Sequence, residues 1–229
     1  MIPRKAVVCL SGGADSTTLL HLASRECQEV HALFLDYGQK HIKEKDSAIV
    51  QAKALNVAAF KVIQFDLTQF GGSPLTDSSI PTPTQRENKQ ADTVVPFRNT
   101  MILTFAAAYA KMQGCNTLYL GATFEDLKNY PDCRPMFFKK LQETLMLGDT
   151  MHDLHVRTPF VMMKKDEIIR LGVSYGIDYT GTWTCYEGGE YPCLKCDACR
   201  ERMLSFRLNK QQDPLVADTD WADYLKEKI

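Results

Sequence analysis

The most constraining stretch is at the N-terminus, where the apolar run Ala6 to Leu10 ends abruptly in Ser11-Gly12-Gly13-Ala14-Asp15-Ser16-Thr17. A short apolar run bounded by basic residues and glycine reads as a buried strand. Paired glycines let the following backbone turn tightly and come close to a ligand. Leu19, Leu20 and Leu22 then fall at near-helical spacing, so a helix is predicted over Ser16 to Ser24. In a strand–glycine loop–helix unit, loop and helix N–H groups collect anions, and Ser11 and Ser16 add hydroxyls. Asp15 repels phosphate unless a Mg²⁺ bridges the two, or unless it caps the helix. The loop lacks the lysine of G-x-x-x-x-G-K-[ST] and the spacing of G-x-G-x-x-G, which disfavours kinase-like and dinucleotide sites.

The alternation continues. Val30 to Leu35 and Phe60 to Phe65 read as strands, with a helix from Ile42 to Leu55 between them. Helices are predicted over Asn99 to Met112, Phe137 to Leu147 and Lys164 to Tyr175. Strands are predicted over Thr117 to Leu120 and His155 to Phe160. Glu125 to Arg134 reads as a polar loop. Asp66 to Pro96, rich in Thr, Ser, Pro, Gly and Gln, is a long interruption expected to be partly disordered without substrate. The rhythm predicts an α/β fold, a parallel sheet with helices on both faces, over residues 1–182. A small C-terminal segment, 183–229, should pack on it as one unit.

That segment contains Cys185, Cys193, Cys196 and Cys199, half of the chain's 8 cysteines. No signal peptide is evident, so the expected compartment is the reducing cytoplasm, where such a cluster reads as metal binding. A closed Cys₄ set suits structural Zn²⁺; a [4Fe–4S] cluster uses the same ligands. Arg200, Arg202 and Arg207 read as a solvated helix face or, alternatively, as a reach toward phosphate or a partner subunit. A net charge of −1 argues against a nucleic-acid coat. No apolar run reaches the roughly 18 residues of a membrane span.

The complete SGGADS resembles the phosphate loop of the PP-loop ATP pyrophosphatases. Together with the Cys₄ cluster it is similar to their 7-cyano-7-deazaguanine (preQ0) synthase family. Asp36-Tyr37-Gly38-Gln39, Val95-Pro96-Phe97-Arg98-Asn99, Tyr130-Pro131-Asp132-Cys133-Arg134, Thr184-Cys185-Tyr186 and Cys196-Asp197-Ala198-Cys199 resemble further segments of that family, in order. The resemblance implies a Rossmann-like PP-loop fold and an ATP-dependent ligase that makes a nitrile from 7-carboxy-7-deazaguanine and ammonia, for queuosine-type biosynthesis. It implies that Leu10 to Thr17 bind ATP with Mg²⁺, that Asp15, Lys165 and Arg98 serve catalysis, and that Tyr37, Tyr130, Asp132 and Arg134 meet the deazaguanine. It also implies a homodimer. Lys165 has an alternative as an ordinary surface lysine, Asp132 as a turn residue, and Phe97 or Tyr37 as packing rather than base stacking. Two other readings compete. A tRNA thiolase would want a basic surface, and a nucleotide-sensing module would not turn over ATP.

Overall fold

The computed structural model describes residues 5–40, 43–81 and 93–227. Five strands, β1 (Lys5–Cys9), β2 (Glu29–Asp36), β3 (Ala59–Gln64), β4 (Thr117–Tyr119) and β5 (His155–Arg157), form one parallel sheet in the order β3-β2-β1-β4-β5. Among the described residues, eight α-helices accompany them: α1 (Ala14–Glu26), α2 (Lys43–Ala54), α3 (Arg98–Gln113), α4 (Asp126–Asn129), α5 (Pro135–Leu147), α6 (Lys165–Ser174), α7 (Asp197–Leu208) and α8 (Asp218–Lys226).

The central strands read as continuous apolar runs because both faces are covered. Alternate residues of β1 serve opposite cores. Val7 and Cys9 pack with Leu103 of α3 and Phe138 of α5. Ala6 and Val8 pack with Leu19 and Leu20 of α1, Ala48 of α2 and Ile168 of α6. The period-two alternation of strand side chains thus divides the helices between the two faces. β1 pairs with β2 on one side and β4 on the other, so crossover direction reverses there. In an open α/β sheet, ligands bind outside the carboxyl ends of strands at this switch point.

A third cluster joins the C-terminal segment to the sheet domain. Ala14 and Ile169 pack with Met203, Phe206, Val216 and Trp221. The Tyr179 hydroxyl lies 2.7 Å from Thr18 Oγ1 of α1. A Cβ on Gly172 would stand 1.6 Å from that hydroxyl, so α6 can approach only with glycine there.

Three expectations change. The last strand stops at Arg157, because the chain turns to place Phe160, fully buried, in the α1 core. The polar stretch Glu125 to Arg134 contains α4 and a 3₁₀ turn, Pro131–Cys133. Within Asp66 to Pro96, Leu67 and Leu75 are buried around Tyr37, with a short 3₁₀ turn at Thr68–Phe70. Residues 82–92, on which much of the expected disorder falls, lie outside the described residues.

A candidate nucleotide site beside a four-cysteine knuckle

The glycine loop leaves β1 through Leu10, whose N–H donates to Leu33 O at 2.9 Å. Gly12 then adopts φ +84°, and a Cβ there would lie 2.3 Å from Glu44 O and 2.7 Å from Ala48 N. Both the backbone angle and the close approach of α2 therefore demand glycine. Ser11 Oγ and Ser16 Oγ lie 3.0 Å apart, Ser11 N donates to Ser16 Oγ, and Ser16 Oγ donates to Gly13 O. The loop is thus tied to the first turn of α1. Gly13 is the N-cap of α1, and no side chain caps that helix. The alternative of Asp15 as the cap does not hold. The end of α1 opens into a cavity of about 290 Å³ lined by Leu10, Ser11, Gly13, Ala14, Asp15 and Ser16. Uncapped N–H groups at a helix N-terminus favour an anion. Gly12 and Thr17 do not line the cavity. Gly12 shapes the loop from behind, and Thr17 is fully buried.

Asp15 shares the cavity with Lys165 and Asp126. Burial pushes the Asp15 carboxyl up to about 6, partly offset by the Lys165 ammonium. Lys165 Nζ pairs with Glu201 of α7. Burial opposes the Lys165 charge, but Glu201, Asp15 and Asp126 outweigh it and hold the ammonium well above its ordinary range. Its side chain is 20% exposed, whereas neighbouring Lys164 stands in solvent, so Lys165 is not a surface lysine. Asp126 accepts hydrogen bonds from Thr123 N and Oγ1, both at 2.9 Å, which fixes it just past β4.

The other part of the cavity is aromatic and carries Arg98 and Glu44. Tyr37 leaves the end of β2, Arg98 begins α3, and Tyr130 follows α4. The phenols of Tyr37 and Tyr130 are buried, and Arg98 hydrogen-bonds to Tyr37. Burial pushes the Glu44 carboxyl up to about 8 against the pull of Arg98. Asp132 accepts from Asn99 N at 3.3 Å, which puts a carboxylate at the start of a helix whose first turn has none. It does not line the cavity. Arg134 is exposed, with Nε donating to Leu127 O at 3.4 Å. Phe97 is left-handed at φ +56° and 76% exposed.

The four cysteine sulfurs lie within 4.8 Å of one another. A tetrahedral ion with metal–sulfur bonds of about 2.3 Å spaces its sulfurs by just under 4 Å, and Cys193 Sγ lies 4.0 Å from Cys199 Sγ. Cys193 N donates to Cys185 Sγ and Cys196 N to Cys193 Sγ, both at 3.3 Å, as suits thiolates. The donor set fits one ion; a four-iron cluster, with each thiolate on a different iron, would spread the sulfurs further. The knuckle also reaches the phosphate loop. Trp183 Nε1 donates to Cys185 O at 3.0 Å, and Trp183 N donates to Gly12 O at 2.9 Å.

Of the three arginines read as a solvated face, Arg202 is buried. Its Nε lies 2.7 Å from Asp213 Oδ2, and NH1 donates to Thr182 Oγ1 at 2.7 Å. Arg207 donates to the carbonyls of Tyr224, Leu225 and Glu227 at the end of α8. Arg200 is half-exposed, 3.8 Å from Glu227. The sequence reading missed Glu44, Asp126, Tyr186 and Glu201. Asp126 had a signal, an acidic pair just past a strand end at the switch point. Glu44 and Glu201 looked like solvated helix positions.

A parallel sheet with a glycine loop and an open helix N-terminus at its switch point defines a PP-loop enzyme fold. The structure of NMN synthetase from Francisella tularensis is similar in fold: TM-score 0.52, 15% identity, covering 98% of this chain and 86% of that one. The family model "Queuosine biosynthesis protein QueC" matches residues 5–210. The 7-cyano-7-deazaguanine synthase of Archaeoglobus fulgidus is 43% identical over 226 residues, covering 97% of this chain and 94% of that relative. The Trichodesmium erythraeum enzyme of the same name is 41% identical, covering 93% and 100%. The chain belongs to this 7-cyano-7-deazaguanine synthase family.

Proposed function

We propose that the chain converts 7-carboxy-7-deazaguanine and ammonia into 7-cyano-7-deazaguanine (preQ0) at the expense of ATP, for queuosine-type biosynthesis in the cytoplasm. One observation carries the reading. The uncapped α1 terminus and its glycine loop face a cavity that also holds Asp15, Lys165 and Arg98, in a chain of this family. A carboxylate is a poor electrophile, so its oxygen must first become a leaving group. Attack of that oxygen on the α-phosphate of ATP gives an acyl-adenylate that ammonia can open to the amide. A second activation, through the amide oxygen, leads to the nitrile.

This work is mostly positioning and charge neutralisation. Loop residues Leu10 to Thr17 supply the N–H groups, hydroxyls and backbone shape for the phosphates. Lys165 neutralises phosphate charge, and Asp15 would hold the Mg²⁺ that accompanies ATP, a hard cation suited to carboxylate and phosphate oxygens. Arg98 steadies the substrate carboxylate, and Tyr37 and Tyr130 wall the base. Asp132 acts one step back, holding the start of α3, and Arg134 ties the turn before α5 to Leu127 of α4. The knuckle suits structural Zn²⁺ because its four thiolates leave no open position. Residues 1–182 and 183–229 work as one unit, a homodimer is the expected assembly, and no nucleic acid is bound directly.

Mass spectrometry of the products from purified protein with ATP, Mg²⁺, ammonium and 7-carboxy-7-deazaguanine tests the reading. The expected product is about 19 Da lighter than substrate, two oxygens and a proton having given way to one nitrogen. Unchanged substrate with metal-replete protein would overturn it and send the search to tRNA thiolation.

A further inference from the structure

Forming an amide from ammonia releases a proton from nitrogen, and a neutral-pH enzyme gains by receiving it at a placed base. Among the described histidines, His21, His31, His152 and His155, none lines the cavity. The other ionisable groups on its wall are poorly suited. Cys9 and Cys133 have thiols pushed up to about 12 by burial. Tyr37 and Tyr186 are raised the same way, the Tyr130 hydroxyl is hydrogen-bonded to Thr93, and Arg202 is paired with Asp213. Lys165 and Arg98 are held as cations. Asp126 stands with Asp15 beside Lys165. Asp15 sits on the phosphate loop beside Lys165, in the half of the cavity that the nucleotide would fill.

Glu44 is placed differently. It lies in the first turn of α2, and that turn is pressed so closely on the phosphate loop that Gly12 can carry no side chain. Its carboxyl lines the cavity between the loop and the aromatic wall, and Arg98 of α3 and Tyr37 of the β2 end are among the ionisable groups that act on it. We infer that Glu44 is the proton acceptor for ammonia as it attacks the activated carboxyl carbon, a role that rests on the proposed ligase reaction. The nitrogen lone pair forms the C–N bond and the C–O bond to AMP breaks. AMP leaves with that electron pair, and one N–H proton passes to the Glu44 carboxylate. Amide, AMP and the neutral acid result, and the acid returns its proton to solvent. Burial holds the carboxyl up to about 8, near the working pH, where a base both accepts and releases protons.

The test separates steps before and after ammonia. Glu44→Gln should keep substrate-dependent ATP–pyrophosphate exchange within a few-fold of wild type while ammonia-dependent amide formation falls by about 10²–10⁴-fold. Hydroxylamine, a weakly basic nucleophile that needs less help in losing its proton, should trap the adenylate as hydroxamate in the variant at close to the wild-type rate. Glu44→Asp, which keeps a carboxylate, should recover part of the amide rate and supplies the same comparison if glutamine disturbs the start of α2. The inference is overturned if hydroxamate formation falls as far as amide formation, or if pyrophosphate exchange falls with it in both variants. Wild-type protein that exchanges no pyrophosphate with 7-carboxy-7-deazaguanine present would instead sink the ligase reading itself.

Discussion

The phosphate loop and the cysteine knuckle are both short, turn-rich segments, and both are built to hold charge. They are organised in opposite ways. The loop is held from outside by β1, by α1, by the close approach of α2 and by internal serine hydrogen bonds. It needs no ligand to keep its shape. The knuckle has no regular structure between Cys185 and Cys196. Four sulfurs packed within 4.8 Å are a poor arrangement as thiolates without a cation, and Trp183 and Ala198 bury them further. One segment has the form of a fixed receptor for an anion, and the other of a frame that a metal ion could complete.

Metal removal should break this contrast most strongly. For a chelated structural ion, binding free energy is folding free energy. Stripping the metal, or Cys196→Ser, should lower the melting temperature by at least about 10 °C, and metal analysis should count one ion per chain in the untreated protein. Melting followed by circular dichroism with and without chelator checks this; an unchanged midpoint would mean the thiols hold nothing.

The loop should respond to sterics instead. Gly12→Ala meets Glu44 O at 2.3 Å in an unfavourable backbone region, and should cost about 2–4 kcal/mol as well as nucleotide binding. Gly13→Ala, whose nearest new contact is 3.4 Å away at an ordinary φ of −74°, should melt within about 3 °C of wild type. Equal destabilisation of the two would contradict the fixed-receptor picture.

The smallest effect is a pH dependence. Glu44 and Asp15 carry carboxyls raised by burial, from 4.5 to about 8 and from 3.8 to about 6. The folded state therefore binds more protons than the unfolded chain between those values, and stability falls as pH rises through them. Glu44→Gln should match the wild-type melting temperature at pH 4 and exceed it at pH 8 without ligands, by a margin that grows as pH rises. A difference that shrinks as pH rises would have the wrong sign.

The sheet was legible because buried parallel strands write themselves as uninterrupted apolar runs. Four of the five were located to within a residue or two. β5 was overextended because Phe160 looks like strand but turns into the core beside α1. Cys₄ spacing announced the knuckle, and Ser11 to Ser16 announced the loop. What was hidden is what depends on distant packing. Arg202 reads as one of three surface cations until Asp213 and Thr182 close around it. Glu44 looks like a helix-start acid until α2 is laid on Gly12. Asp132 and Cys133 are sequence neighbours, yet Cys133 lines the cavity and Asp132 turns to Asn99.

The Trp183 to Gly12 hydrogen bond joins the knuckle segment to the first loop of the chain. During synthesis the phosphate loop leaves the ribosome early, while Lys165, Trp183, Tyr186 and Glu201 follow much later. A nascent chain carries the sequence of the glycine loop for most of its translation, but the cavity wall that would keep a nucleotide beside it is still unmade. Closure of the site must wait for the C-terminal third of the chain. A partly made enzyme has therefore little means of spending ATP.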